Sequence, residues 1–340
     1  MLGVEGSTLM SYMEQKPMKV KRRARKGILP QFRGLAWFIL SGGRALMANS
    51  GIEGQNYTAI LQKATGRDKT SDEAIMRDLD RTFPTNLYFM DRQGKGQLAL
   101  YNILRAYSSY DPKVGYVQGM SYIVAVLLVH MNEEQAFWSF SSLMQGGQLT
   151  AAMSPAAAAS AGQGSSSKVP ASSTANKQQQ ASAAAPEAIA LRGMFTEGMP
   201  LLQLSLFQWQ GLLESELPKL AFHLKTQGLD PSLFGTHWFN TLFSYTLPFH
   251  HLVRIWDVYM VEGIKIVFRV ALTLMKLNAS KLLAFRFEGL VDVLSSKKVA
   301  RLLGSLSPNQ LLQAALKIPV SSRLKGKGQE WKSFVQNSRP

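Results

Sequence analysis

Two short stretches of this chain hold side chains whose types and spacing could do chemistry. The first, Ile75-Met76-Arg77-Asp78-Leu79-Asp80-Arg81-Thr82-Phe83-Pro84, sets an aspartate and an arginine three residues apart, just ahead of a proline. On a helix two such residues share a face, where a carboxylate can hold a guanidinium through paired hydrogen bonds and fix its direction. The second, Tyr116-Val117-Gln118-Gly119, sets a glutamine directly before a glycine, at the mouth of an apolar run. Each has a plain alternative. An exposed ion pair is worth only about 0–1 kcal/mol, and a glutamine beside a glycine is ordinary polar surface. Together they amount to two hydrogen-bond donors without a nucleophile, a base or a metal ligand.

Other chemistries find little support. Cysteine is absent, which removes disulfides, thiol nucleophiles and Cys-based zinc sites together and fits a reducing compartment. The five histidines, His130, His223, His237, His250 and His251, fall in no metal-ligand spacing, and the adjacent His250-His251 reads as surface. Gly94-Lys95-Gly96 lacks the spacing and trailing hydroxyl residue of a phosphate-binding P-loop and reads as a lysine-bearing loop. There is no Gly-x-Ser-x-Gly, and Trp256-Asp257 is a single pair without a propeller's repeat period. The aromatic stripe Trp238 to Tyr245 reads as core.

The elements that must position the two stretches are helices. Phe32, Leu35, Ala36, Phe38, Ile39 and Leu40 recur at helical spacing around Trp37, and Gly42-Gly43 ends that run. Asn56 to Thr65 repeats the pattern. Thr70-Ser71-Asp72 is an N-cap cluster for the next helix, whose apolar side is Ile75 and Leu79. Pro84 cannot continue that helix, so Arg81 belongs at or near its last turn. Leu98 to Tyr110 is a further helix, broken by Asp111-Pro112 and Gly115 before a strongly apolar helix from Met120. Glu133 to Met144 follows. Later helices are expected over Leu201–Glu216, Lys219–Lys225, Phe234–Thr246, Leu252–Met260, Ile264–Leu277, Lys281–Val293 and Leu311–Leu316. Sustained period-two alternation is missing, so the expected class is all-α.

Composition divides the chain. Residues 151–187 hold Ala, Ser, Gln, Gly and Pro with no aromatic, Leu or Ile before Ala188, too little apolar surface to offset the entropy of ordering. They read as a disordered low-complexity insert between two helical subdomains, 26–150 and 188–320. Residues 1–25 read as a flexible basic arm and 321–340 as a basic tail. Residues 16–26 carry seven cations and no acid, and residues 317–340 carry six Lys or Arg against Glu330, so the two ends hold most of the net +16. Charge placed on tails fits attraction to an anionic membrane or an acidic partner, or equally a solvated arm that aids solubility, better than a nucleic-acid groove interleaved with aromatics. No apolar run reaches the roughly 18–20 residues of a membrane span, and Met1 to Tyr12 lacks a signal-peptide pattern. A cytoplasmic protein, peripheral on endomembranes at most, is the expectation.

Ile75-x-x-Asp78-x-x-Arg81 followed by Tyr116-x-Gln118-Gly119 resembles the two-motif signature of the TBC-domain family, the GTPase-activating proteins of Rab GTPases. The flanks agree: Arg33-Gly34-x-x-Trp37, Thr82-Phe83-Pro84, Val114-Gly115, Phe137-Trp138, Arg254-Ile255-Trp256-Asp257 and Glu262-Gly263. The likeness runs from about Lys26 to Pro319, and the insert is its one departure. It implies a two-subdomain TBC fold and a Rab-type small GTPase in its GTP-bound form as partner. By this resemblance Arg81 is an arginine finger and Gln118 a glutamine finger. Asp78 orients Arg81 or its helix, and Tyr116 and Gly119 shape the turn that presents Gln118. GTP and Mg²⁺ come with the GTPase, and no cofactor or metal of the chain's own is implied. A TBC-like module that binds or tethers without catalysis is the rival reading, and a basic-tailed membrane or nucleic-acid adaptor is a weaker one.

Overall fold

The computed structural model describes residues 15–52, 54–65, 69–147, 190–295 and 298–337, among which there is no strand. Among the described residues the first half holds eight helices: α1 (Pro17–Lys26), α2 (Pro30–Leu40), α3 (Gly43–Ile52), α4 (Tyr57–Ala64), α5 (Lys69–Leu79), α6 (Lys95–Tyr110), α7 (Met120–Leu128) and α8 (Glu133–Gln145). After a 3₁₀ turn, Leu191–Met194, come α9 (Pro200–Glu216), α10 (Pro218–Thr226), α11 (Ser232–Asn240), α12 (Phe249–Glu262), α13 (Lys265–Leu277), α14 (Ala279–Leu283) and α15 (Phe287–Leu294). A second 3₁₀ turn, Val299–Leu303, leads to α16 (Pro308–Leu316) and α17 (Ser321–Asn337). The expectation for 151–187 lies outside the described residues.

α7 is apolar on every side and all of its residues are buried, as a helix at the centre of a bundle must be. It packs between α6 and α8, while α4 and α5 cover α6 and α3 covers α8. In the second half α9 packs with α10, α11 and α17, and α12 with α13 and α16. The halves share one continuous apolar core. α12 packs on α1 and α2, and the Leu191–Met194 turn packs on both α8 and α9.

Several expected boundaries move, each for a physical reason. The expected flexible arm contains α1, whose Val20 and Ala24, one turn apart, turn toward the core. Arg25 pairs with Glu262 at 2.6 Å, and the Arg254 guanidinium donates to the Arg25 carbonyl at 3.0 Å. The expected basic tail contains α17, where Leu324 is buried and Trp331 lies 5.3 Å from Phe207. Gln208 Nε2 also donates to the Leu324 carbonyl at 2.9 Å. The single helix expected over Phe234–Thr246 ends at Asn240, because Leu242 and Phe243 take left-handed φ of 51° and 65°. Such backbone costs roughly 1–2 kcal/mol per residue. Both side chains are fully buried, which returns roughly 1.5–3 kcal/mol each. The expected Lys281–Val293 helix is interrupted between Leu283 and Phe287. Gly43 opens α3 rather than only closing α2, and Lys95-Gly96 opens α6 rather than sitting in a loop. His251, expected at the surface, is buried and its Nε2 donates to the Leu306 carbonyl at 2.9 Å.

Candidate functional site

α5 ends at Leu79, and the chain from Asp80 to Gly94 runs through turns and bends. Arg81 therefore stands just past the last helical turn rather than in it. Pro84 forbids continuation, and Phe83 takes a left-handed φ of 46°. Its ring is held by Phe89, Tyr122 and Phe249 at centroid distances of 6.5, 5.7 and 5.9 Å. That packing offsets the backbone strain and turns the chain away immediately after the arginine.

The Asp78–Arg81 pair forms. Arg81 Nη2 lies 2.6 Å from Asp78 Oδ1, the arginine side chain 46% exposed and the aspartate 6%. The other carboxylate oxygen, Oδ2, accepts from the Tyr116 hydroxyl at 2.5 Å. Burial, reinforced by this bond, pushes the Tyr116 hydroxyl well above the usual phenol range, so it remains a donor at any physiological pH. Two further ties join the stretches. Tyr122 donates its hydroxyl to the Arg81 carbonyl at 2.7 Å. Thr82 donates to the Asp78 carbonyl at 2.6 Å, and its Oγ1 meets the Ser121 hydroxyl at 2.9 Å. The second motif is thus fastened to the first by Tyr116, Ser121 and Tyr122, which bracket Gln118.

Gln118 is exposed and its side chain makes no hydrogen bond among the described residues. Gly119 caps α7 at φ 104°, in the left-handed region. A Cβ there would meet Asn240 and Thr241 at 3.5 Å, ordinary contact distance, so conformation rather than space calls for glycine. The loop before Gln118 is pinned at its base. Arg192 holds Asp111 in a two-pronged ion pair at 2.7 and 3.0 Å, and Tyr107 adds a hydroxyl at 3.3 Å. The Arg192 hydrogen bond keeps the Asp111 carboxyl below the usual carboxylate range despite partial burial.

The second half contributes a side chain that spacing did not single out. His237 lies 5.1 Å from the Tyr245 ring, which lies 4.9 Å from Tyr122, the residue bonded to the Arg81 carbonyl. Burial lowers the His237 pKa and the Arg81 charge lowers it further, so the imidazole is neutral near pH 7. A lone histidine in an aromatic stretch gives no sequence signal for this. The Arg192–Asp111 tie was equally silent, since its partners stand 81 residues apart.

The flanking motifs are structural. Asp257, fully buried, accepts from Arg33 Nε at 3.1 Å, Trp37 Nε1 at 3.0 Å, the Ile28 amide at 3.1 Å and Arg254 at 3.0 Å. Gly34 lets α2 approach the end of α7, because a Cβ there would sit 1.9 Å from the His130 carbonyl. Arg33-Gly34-x-x-Trp37 and Trp256-Asp257 are therefore two faces of one clamp. Among the described residues no group of three His, Cys, Asp or Glu side chains is placed to hold a metal ion.

Comparison with known proteins covers both halves. The model of the Rab-GTPase-TBC domain matches residues 30–157, and that of the RabGAP TBC domain matches residues 187–314. Mouse TBC1 domain family member 10A is 34% identical, across 78% of this chain and 43% of its own length. The Drosophila melanogaster TBC1 domain family member whacked is 31% identical, across 79% of this chain and 61% of its own. The human ecotropic viral integration site 5 protein homolog is 29% identical, across 91% of this chain and 32% of its own, so the chain spans between a third and three-fifths of these relatives. The fold resembles the crystal structure of the Chlamydomonas flagellar RabGAP TBC domain, with a TM-score of 0.63 at 24% identity over 92% of this chain and 90% of that one. The Ypt/Rab-GAP domain of Gyp1p gives 0.62 at 14% identity over 92% and 93%. At these identities the structures speak for the fold alone. Sequence matches on both sides of the 151–187 segment carry the assignment further: this chain belongs to the TBC-domain family.

Proposed function

We propose that this chain accelerates GTP hydrolysis by a Rab-type small GTPase in its GTP-bound form, inserting Arg81 and Gln118 into the partner's site in trans. The observation that carries the reading is the interlock itself. Two stretches are locked together by tyrosine hydroxyls that reach across 38 and 41 residues of sequence, yet the two side chains they bracket remain outward: Arg81 nearly half exposed, Gln118 exposed and unbonded among the described residues. In phosphoryl transfer from GTP, negative charge spreads over the transferring group while water attacks in line. A guanidinium there stabilises that charge and a carboxamide orients the water, with GTP and Mg²⁺ belonging to the GTPase. Such an arginine is worth about 10³–10⁵ in rate. Asp78 aims Arg81, and Tyr116, held on Asp78, fixes the approach of Gln118. The setting would be vesicle trafficking at the cytoplasmic face of an endomembrane.

The Arg81–Asp78 ion pair also favours a second reading, a TBC-like module that binds a GTPase without catalysis, since a guanidinium already paired must be released or shared before it reaches phosphate. Single-turnover GTP hydrolysis across a panel of Rab proteins separates the two. Acceleration that falls about a thousandfold or more in Arg81→Ala, and strongly in Gln118→Ala, supports catalysis. Binding to GTP-loaded Rab without any acceleration by the unmodified chain supports the second reading.

A further inference from the structure

We propose, resting on the GTPase-activating reading above, that Asn240 at the end of α11 is the positioning residue for Gln118. Once a GTPase covers the site, the Asn240 carboxamide oxygen accepts from Gln118 Nε2. The two outward side chains differ in how they are held. Arg81 is aimed by Asp78 at 2.6 Å. Gln118 is exposed and has no such partner among the described residues. A glutamine that orients water must present its oxygen and not its nitrogen, and the two ends of the amide are alike in shape. Only an acceptor fixed beside Nε2 tells them apart.

The second half builds a seat against the residue next to Gln118. A side-chain carbon added at Gly119 would meet Asn240 Nδ2 and Thr241 Cγ2 at 3.5 Å and Phe195 Cε1 at 3.7 Å. All three are fixed from behind. Phe195 is buried and follows the turn whose Arg192 holds Asp111 at the base of the Gln118 loop. Thr241 Oγ1 donates to the His237 carbonyl at 2.6 Å and accepts from the Tyr245 amide at 3.3 Å. Leu242 and Phe243, left-handed and fully buried, anchor the chain immediately after it. Gly119 puts no side chain of its own between Gln118 and Asn240.

The Asn240 carboxamide is spare. Its Oδ1 is buried with no hydrogen-bond partner, and its Nδ2 makes no hydrogen bond among the described residues. A buried acceptor without a donor is costly, so such a group calls for a partner. Nδ2 is the end that meets Gly119. A half-turn about χ2, a torsion with two broad wells, brings Oδ1 to the same place and breaks no hydrogen bond. Gln118 Nε2 can then donate to it, which leaves Gln118 Oε1 to accept from the attacking water. Thr241 turns its methyl to Gly119 and engages its hydroxyl with His237 and Tyr245, so it offers no competing acceptor. A docked GTPase excludes solvent from both amides, and the bond between them then strengthens.

The test is single-turnover GTP hydrolysis on a responsive Rab over a range of concentrations of the full chain, which separates the maximal rate from the half-saturating concentration. Asn240→Leu keeps the shape and removes the acceptor, whereas Asn240→Asp keeps the acceptor. Asn240→Leu is expected to lower the maximal rate roughly tenfold while moving the half-saturating concentration by less than about twofold. Its thermal midpoint should not fall, because an unpaired buried amide has been removed. Asn240→Asp should restore most of the rate. In a Gln118→Ala background the Asn240→Leu loss should vanish, since the two residues then act as one unit. Should Asn240→Asp not fold, that cycle decides by itself. An unchanged rate in Asn240→Leu, a loss that persists without Gln118, a folded Asn240→Asp as slow as Asn240→Leu, or a loss seen only as weaker saturation or a lower midpoint overturns the role of Asn240 and leaves GTPase activation standing. No acceleration of any Rab by the unmodified chain overturns activation and the role of Asn240 together.

Discussion

Two arginine–aspartate pairs organise this molecule, and the same two side chains serve opposite ends. Arg33 and Asp257 come from positions 224 residues apart and are almost wholly buried, and the carboxylate is surrounded by two guanidinium groups, an indole and a backbone amide. Arg81 and Asp78 are three residues apart, and only the aspartate is buried. In the first pair both partners are used up in joining the halves. In the second the aspartate is anchored by Tyr116 and the arginine is left facing outward. Burial, and then the charge of the neighbouring arginine, lowers the pKa of one histidine at each pair, His130 beside Arg33 and His237 beside Arg81. What separates a fastening from a tool is therefore how many donors close around the carboxylate and which partner retains access to solvent.

Breaking the outward pair should give the largest effect. Arg81→Ala is expected to reduce stimulated GTP hydrolysis about 10³-fold or more while moving the thermal midpoint little, because an exposed guanidinium contributes little stability. Breaking the inward pair should do the reverse. Asp257→Ala leaves buried guanidinium groups without a counter-charge and is expected to cost about 3–5 kcal/mol in urea unfolding. Tyr116→Phe sits between them: it removes a charge-assisted hydrogen bond worth about 1.5–3 kcal/mol and loosens the aim of Arg81. Stimulated hydrolysis should fall roughly tenfold with the fold intact by circular dichroism. An unchanged rate would mean that Asp78 holds Arg81 without help.

The smallest effects are in the histidines. Burial, and then the Arg33 charge, bring His130 down from 6.5 to about 4. The unfolded chain therefore takes up this proton first, so stability is full above about 6.5 and declines as pH falls toward about 4. His130→Gln should flatten that part of the profile of unfolding free energy against pH. At the other pair, proton NMR titration of Arg81→Ala should show the His237 pKa rising, yet remaining below the usual histidine value, because burial is the larger cause.

Much of this was legible in the sequence where signals are local. Helical periodicity located most elements, and Pro84 and Asp111-Pro112 marked the ends from which Arg81 and Gln118 project. Charge composition misled at the ends: seven cations on residues 16–26 hid Val20 and Ala24, and their acidic partner Glu262 stands 237 residues from Arg25. The stop at Asn240 was hidden because Leu242 and Phe243 are poor left-handed residues, adopted only because the core rewards their burial. His237 and Arg192 carry no spacing signal at all. Whatever depends on a partner across the fold had to wait for the fold.

The Asp257 clamp has a consequence for the timing of synthesis. Arg33 and Trp37 emerge early, but the carboxylate that receives them is made 224 residues after Arg33. At about 5–20 residues per second, α2 spends about 10–45 s with its arginine and indole unmatched. During that interval the half bearing Arg81 and Gln118 lacks one of its walls. The nascent chain thus passes through a stage in which the edge bearing Arg81 and Gln118 exists before the latch that steadies it, and translation speed through the second half sets how long that stage lasts.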